Sequence, residues 1–260
     1  MIAGQGAVAD RIESGLVVGA WSVEIGFATP APGESLSSAA RRLAERVVAG
    51  VTGLPVAVVR VASLLPSGRP IVGSDDGPLT LAVSVAHERR LVCAAVCAGA
   101  GIGIDVVDTS AARAGIDYWL DDAERATASP AMIWAAKEAA YKAAGLDAAF
   151  RPLGVAVEPS DDGTFAWTLR DDWRTVSGTG KFLEVGCHLV AVACTHMPRR
   201  PTSDRPEARA PTDQNTAPAG AGVPGRPPTA FEVAATGGAV AARPAVNPPP
   251  TASSSQELQS

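Results

Sequence analysis

A change of composition at Pro198 divides the chain more sharply than any motif does. From there to Ser260, 63 residues hold 12 of the 21 prolines with many Ala, Thr, Gly and Ser, and contain no Trp, Tyr, Ile, Met or Cys. The bulkiest apolar residues there are Phe231 and Leu258, so an ordering entropy of roughly 1 to 2 kcal/mol per residue has no burial to offset it. The sequence predicts a disordered tail over 198–260. The other 197 residues hold all five Trp, both Tyr and all four Cys, enough chain for one sizeable core or two small ones.

The tail takes six Arg and five acidic residues, so residues 1–197 keep 16 basic and 22 acidic side chains, a net charge of −6. That balance argues against general nucleic-acid binding. No apolar run approaches the roughly 18 to 20 residues needed to cross a bilayer, and Met1 to Gly15 lacks an apolar segment after a basic start, so neither a membrane span nor a secretory leader is expected. Cys93, Cys97, Cys187 and Cys194 lie in apolar runs such as LVCAAVC, consistent with a reducing, cytoplasmic setting. Zinc ligation through these cysteines with His188 or His196 is disfavoured. C-x3-C in a strand-like run lacks the spacing that closes a tetrahedral site, and buried thiols are ordinary core residues.

Apolar periodicity and turn residues predict a strand over Leu16–Ile25, a helix over Ala39–Gly50 opening near Ser37 or Ser38, and a strand over Val56–Ala62. A loop over Pro66–Pro78 follows, then a hairpin of Leu79–Ala86 and Leu91–Cys97 around HERR, and a strand over Ile102–Val107. Asp121 or Asp122 is a candidate cap for AERATA; Pro130 opens the clearest helix, Ala131–Ala144, which Gly145 stops. Strands are predicted over Leu153–Glu158, Thr164–Arg170, Lys181–Val185 and His188–Thr195, with turns at Asp161-Asp162-Gly163 and Ser177-Gly178. Each half reads as strand, helix and then antiparallel strands. The order suits an α+β protein of two similar halves, residues 1–100 and 101–197.

Two segments carry chemistry. In GIGIDVVD the apolar residues Ile102, Ile104 and Val106 surround Asp105, and a charge there must be capping, paired or on a metal. In WAAKEAAYKA the residues Trp134, Glu138, Tyr141 and Lys142 share one helix face. An ordinary solvated Glu138–Lys142 pair, worth roughly 0.2 to 0.5 kcal/mol, would explain that charge. One count points elsewhere: the chain has 19 Arg and three Lys, yet two of the lysines, Lys137 and Lys142, fall in this short segment. A compact ammonium acting on a phosphate is a use for which arginine substitutes poorly.

The pairing of GIDVVD (Gly103 to Asp108) with WAAKEAAYK (Trp134 to Lys142) resembles the signature of the 4'-phosphopantetheinyl transferases, surfactin-type; each motif alone is weak, and both in this order are specific. Upstream, Gly68-Arg69-Pro70 and VSVAHE (Val83 to Glu88) resemble that family's turn and its strand ending in Ser-His. The resemblance covers roughly residues 40–195. It implies a pseudo-two-fold pair of α+β subdomains with coenzyme A in the cleft between them. The implied reaction moves the phosphopantetheine arm onto a serine of an acyl or peptidyl carrier protein and releases 3',5'-ADP.

On the same resemblance, Asp105 and Glu138 would hold Mg2+. Glu138, directly or through a metal-held water, would take the serine proton, and Lys142 would neutralise the departing phosphate. Lys137 would help bind phosphate, and Arg69, His87 and Arg42, or its neighbour Arg41, would contact the phosphates of coenzyme A. For His87 a plain turn histidine stays open. Val107 stands where many surfactin-type members have the second acid of Asp-x-Glu, which moves that acid to Asp108, on the opposite strand face from Asp105. Ala86 stands where a serine is usual, and Glu88 where a small hydroxyl is common. Arg113 and Arg125 would face the carrier protein, and a monomer is expected rather than the trimer of the family's short branch. A non-catalytic coenzyme A or carrier-binding module is the alternative, against which the joint presence of Asp105, Glu138 and Lys142 argues. A plain α+β domain with coincidental motifs is the third reading.

Overall fold

Strand residues with one face toward a helix and the other toward a second sheet must be apolar on both sides, and LVCAAVC at Leu91–Cys97 is buried throughout. It is a central strand of a mixed α+β fold, dominated by antiparallel sheet, in the computed structural model of this chain. Residues 10–65, 67–109, 115–146, 149–172 and 174–196 are described; the predicted tail over 198–260 lies outside the described residues.

The first sheet has the order β1 (Arg11–Val18), β2 (Trp21–Ala28), β7 (Leu91–Cys97), β6 (Ala82–Glu88). A small sheet comprises β3 (Val59–Leu64), β4 (Arg69–Ser74) and β5 (Gly77–Pro78). The third sheet runs β8 (Ala100–Asp108), β12 (His188–His196), β11 (Arg174–Val185), β10 (Thr164–Asp171), β9 (Val155–Pro159). Among the described residues three α-helices accompany them: α1 (Leu36–Thr52), α2 (Asp122–Thr127) and α3 (Pro130–Ala144).

Strand alternation sorts the apolar side chains into layers. Ala94 and Val96 of β7 pack with Leu43, Val47 and Val48 of α1. The opposite face of β7, Cys93, Ala95 and Cys97, shares a core with Ile102, Ile104 and Val106 of β8 and Val190 and Val192 of β12. The other face of the five-stranded sheet, Val107, Ala191 and Ala193, packs under Ala136, Ala139 and Ala143 of α3. The two sheets thus share an inner core, and each carries a helix on its outer face.

Glycines set how close those helices come. A Cβ on Gly26 of β2 would lie 2.6 Å from Val47 Cγ2 and 2.9 Å from Leu43 Cδ1 of α1. On β8 the contact is with backbone: a Cβ on Gly103 would strike the Ala139 carbonyl oxygen and sit 2.6 Å from the Ala143 nitrogen, and one on Gly101 would strike the Ala143 carbonyl. Main-chain atoms of a helix cannot rotate aside. Gly103→Ala should therefore destabilise the chain by about 3 kcal/mol, high in the range for overpacked cores, and lower the melting temperature by roughly 9 °C. Gly50→Ala, whose Cβ would enter open space on α1, should leave it unchanged or raised; equal melting curves for the two variants would contradict the close contact.

Several element boundaries differ from the sequence expectation. The strand predicted over Leu16–Ile25 is two, folded at Gly19, whose φ is +59°. Helix α1 begins earlier, because Ser35 rather than Ser37 or Ser38 caps it, accepting from the Ser38 amide. Val56–Val58 is a short 3-10 turn before β3. The stretch predicted as loop over Pro66–Pro78 contains β4 and β5, with β4 paired residue for residue on β3 from Leu64↔Arg69 to Val59↔Ser74. The turn predicted at Ser177-Gly178 is mid-strand: Gly178 and Gly180 make room there for Trp167 and Phe165 of β10. The clearest helix is α3, with Ser129 as cap, Pro130 in its first turn and Gly145 at its left-handed end.

Candidate functional site

The glycine contact on β8 also places Asp105. Residues 101, 103, 105 and 107 share the strand face that meets α3. The two glycines let the helix lie against the strand, and the carboxylate two residues further on meets the helix side chains. Lys142 Nζ donates to Asp105 Oδ1 at 2.8 Å and to the Ile104 carbonyl at 2.9 Å. Strand β8 is the edge of its sheet, and the Ile104 amide donates to Ser84 Oγ of β6 at 3.1 Å. Side chains from two other elements therefore cover this peptide edge, which is otherwise a liability.

Asp105 is 7% exposed. Burial alone would depress the Lys142 pKa, but the carboxylates of Asp105 and Glu138 outweigh it, and the ammonium is held above its ordinary value. Glu138 sits one turn before Lys142 on α3, so two carboxylates and one ammonium converge. The Cys93 thiol is near this charge: burial, then the Asp105 carboxylate, push its pKa up, while Lys142 opposes them. Cys93 is an inert core thiol. Both acids offer oxygen, the donor chemistry of Mg2+, with the Lys142 ammonium on Asp105 Oδ1 at 2.8 Å.

Lys137 lies elsewhere. Its ammonium pairs with Glu124 Oε2 at 2.8 Å and donates to the carbonyls of Pro152 and Val155 at 3.0 and 2.6 Å, with the residue 1% exposed. All three donors are used inside the fold, which corrects the expectation that Lys137 binds phosphate. Glu124 in turn completes a capping box with Asp121 on α2 and accepts from the Val157 amide. Trp134 and Tyr141 pack on Phe150, with ring centroids 5.7 and 5.0 Å apart.

The basic residues divide in the same way. Arg42 is held by Glu34 through two bonds of 3.1 Å, with Asp10 at 3.7 Å. The paired hydrogen bonds raise the Arg42 pKa and lower that of Glu34. Its neighbour Arg41 instead lines a shallow pocket of about 210 Å³ with Ser37, Ser63, Gly68, Pro70 and His87. Carboxylates therefore take up Arg42, the residue expected to contact the coenzyme A phosphates, and Arg41 is the one of the pair at the pocket. Arg69 donates to the Gly145 carbonyl at 3.0 Å, tying the pocket's Gly68-Pro70 turn to the end of α3, three residues beyond Lys142. Ala86 is 6% exposed and belongs to the inner core, on the strand face opposite exposed His87. A serine at that position would point away from the pocket, so the departure removes no pocket hydroxyl.

Asp108 faces away from Asp105 and pairs with Arg89 at 2.8 Å; Arg89 is the turn residue of the β6–β7 hairpin, with φ +49°. Val107 is 1% exposed in the core beneath α3, so this strand position is apolar and Asp108 lies on the other face. Arg125 donates to the Asp117 carbonyl and to Asp122, both at 2.7 Å, and Arg113 lies outside the described residues. No described helix is long and apolar enough to cross a membrane. Comparison with protein-family models and with curated proteins finds no match for this chain.

Proposed function

We propose that the chain is a Mg2+-dependent 4'-phosphopantetheinyl transferase that moves the phosphopantetheine arm of coenzyme A onto a serine of an acyl or peptidyl carrier protein. The observation that carries this reading is the convergence of Asp105, Glu138 and Lys142 where the GIDVVD strand meets the WAAKEAAYK helix. Support for a pseudo-two-fold architecture comes from element order. With β1, β5 and α2 left aside, the series β2, α1, β3, β4, β6, β7 and the series β8, α3, β9, β10, β11, β12 each run strand, helix, four strands, with β3 and β4 in a separate small sheet. In each the first strand pairs with the last and the last with the one before it, and in each a glycine of the first strand lies under the helix.

In this reading Mg2+ on Asp105 and Glu138 would supply Lewis-acid stabilisation to the pyrophosphate. Glu138 takes the proton of the carrier serine as its oxygen forms the new bond to phosphorus. The bond from that phosphorus to the ADP oxygen breaks, and its electron pair leaves with 3',5'-ADP. Lys142, kept charged by its neighbours, offsets the negative charge on the departing phosphate. Asp105 orients Lys142 through their 2.8 Å contact. Arg41 and His87 meet the phosphates in their pocket, with Arg69 at its turn.

Intact-mass spectrometry of a panel of apo carrier proteins with this chain, coenzyme A and Mg2+ tests the proposal. A gain of one phosphopantetheine that disappears with a chelator is expected. Coenzyme A binding without any carrier gaining mass would instead support the non-catalytic module.

A further inference from the structure

Away from Asp105 and Glu138, the opposite face of the same strand end holds an unassigned cluster. One ligand atom each from Asp108, Cys187 and His188 lies within 4.8 Å of the other two. We propose that these residues form a site for a borderline transition ion of the Zn2+ class, an inference that does not rest on the transferase reading.

Local structure builds the cluster. Val185 and His188 face each other across a two-residue turn, Gly186-Cys187, with Gly186 at φ +62°. Thr109 locks that turn, its amide and hydroxyl both donating to the Cys187 carbonyl, at 3.0 and 2.8 Å. In the β8–β12 ladder His188 is directly opposite Asp108, so the imidazole and the carboxylate leave the sheet on one face.

The donor set is thiolate, imidazole and carboxylate, the mixture that zinc takes. Cys187 Sγ lies 3.6 Å from His188 Nδ1. Ligands at about 2.3 Å for sulfur and 2.0 to 2.1 Å for nitrogen around a tetrahedral ion stand about 3.6 Å apart, so this edge already has the right length. The imidazole is short of partners, because Nε2 is buried without a hydrogen bond. Arg89, 59% exposed and bonded to Asp108, supplies the outer hydrogen bond that orients a ligating carboxylate. Binding releases the Cys187 thiol proton, and the two anionic ligands then balance the divalent charge.

Titrating the full-length chain with Co2+ tests this directly. One equivalent should bind with a near-ultraviolet thiolate-to-cobalt charge-transfer band, lost in Cys187→Ser and requiring at least tenfold more metal in His188→Gln. The band identifies Cys187, because Cys93, Cys97 and Cys194 are 0 to 2% exposed. It should persist in Glu138→Gln, since ligation by carboxylates alone gives no such band, which keeps this site distinct from the one proposed for Mg2+. No band in the parent chain, or a band that survives Cys187→Ser, overturns the proposal. A second measurement needs no variant: Zn2+ should slow alkylation of Cys187 in the native chain at least tenfold, and undiminished alkylation counts equally against the site.

Discussion

Replacing Lys137 by Met is expected to lower the unfolding free energy by about 3 to 5 kcal/mol, the effect of removing one partner from a buried ion pair. Methionine fills nearly the same volume, so the loss comes from charge and hydrogen bonding. The Glu124 carboxylate keeps its bonds to the Asp121 and Val157 amides but loses its counter-ion, and the Pro152 and Val155 carbonyls lose their donor. The measurement is the shift of the urea midpoint. Glu124→Gln in the same chain should recover part of the loss, because the amide oxygen can still accept while the stranded charge is gone. A lysine that served a phosphate would behave differently, leaving stability almost unchanged and raising the KM for coenzyme A.

One residue further along the same helix the expected effect moves from stability to rate. Glu138→Gln preserves shape and one acceptor oxygen and lies on the half-buried face, so its melting curve should stay within about 1 kcal/mol of the parent. Transfer to the carrier serine should fall by about 100- to 10,000-fold, the usual worth of a positioned general base. Near-normal transfer by this variant would remove Glu138 from the proposed mechanism. The opposite signatures of residues 137 and 138 follow from helix geometry, since a step of about 100° turns one side chain into the core and the next toward Asp105.

That geometry was partly legible in the sequence. The face of Trp134, Glu138, Tyr141 and Lys142 follows from spacing alone, and the cap, first-turn proline and terminal glycine of α3 follow from local chemistry. Two of three lysines in one segment draw Lys137 into the chemistry, although a phase difference of about 140° separates it from Lys142. Its partner Glu124 and the carbonyls beyond residue 150 leave no local pattern. Arg41 and Arg42 are adjacent, and only the folded position of Glu34 decides which is taken up by an ion pair. Strand β4 was hidden by Gly68 and Pro70, residues that usually mark loops, because its pairing with β3 is tertiary. Zinc ligation by Cys187 with His188 is disfavoured on sequence spacing for the same reason: the two are neighbours in sequence, but the carboxylate that completes the proposed cluster arrives from a strand about 80 residues earlier.

The backbone at Ile104 gives the proposed site a mechanical property. Its amide is held by Ser84 of the first sheet and its carbonyl by Lys142 of α3, so a displacement of either element pulls on the residue next to Asp105. The two groups belong to the successive peptide planes on either side of the Ile104 Cα, so a shift of the hairpin that bears His87 would act on the backbone torsions of the residue before Asp105. Movement of that hairpin therefore reaches, across one residue, the carbonyl that shares Lys142 with Asp105.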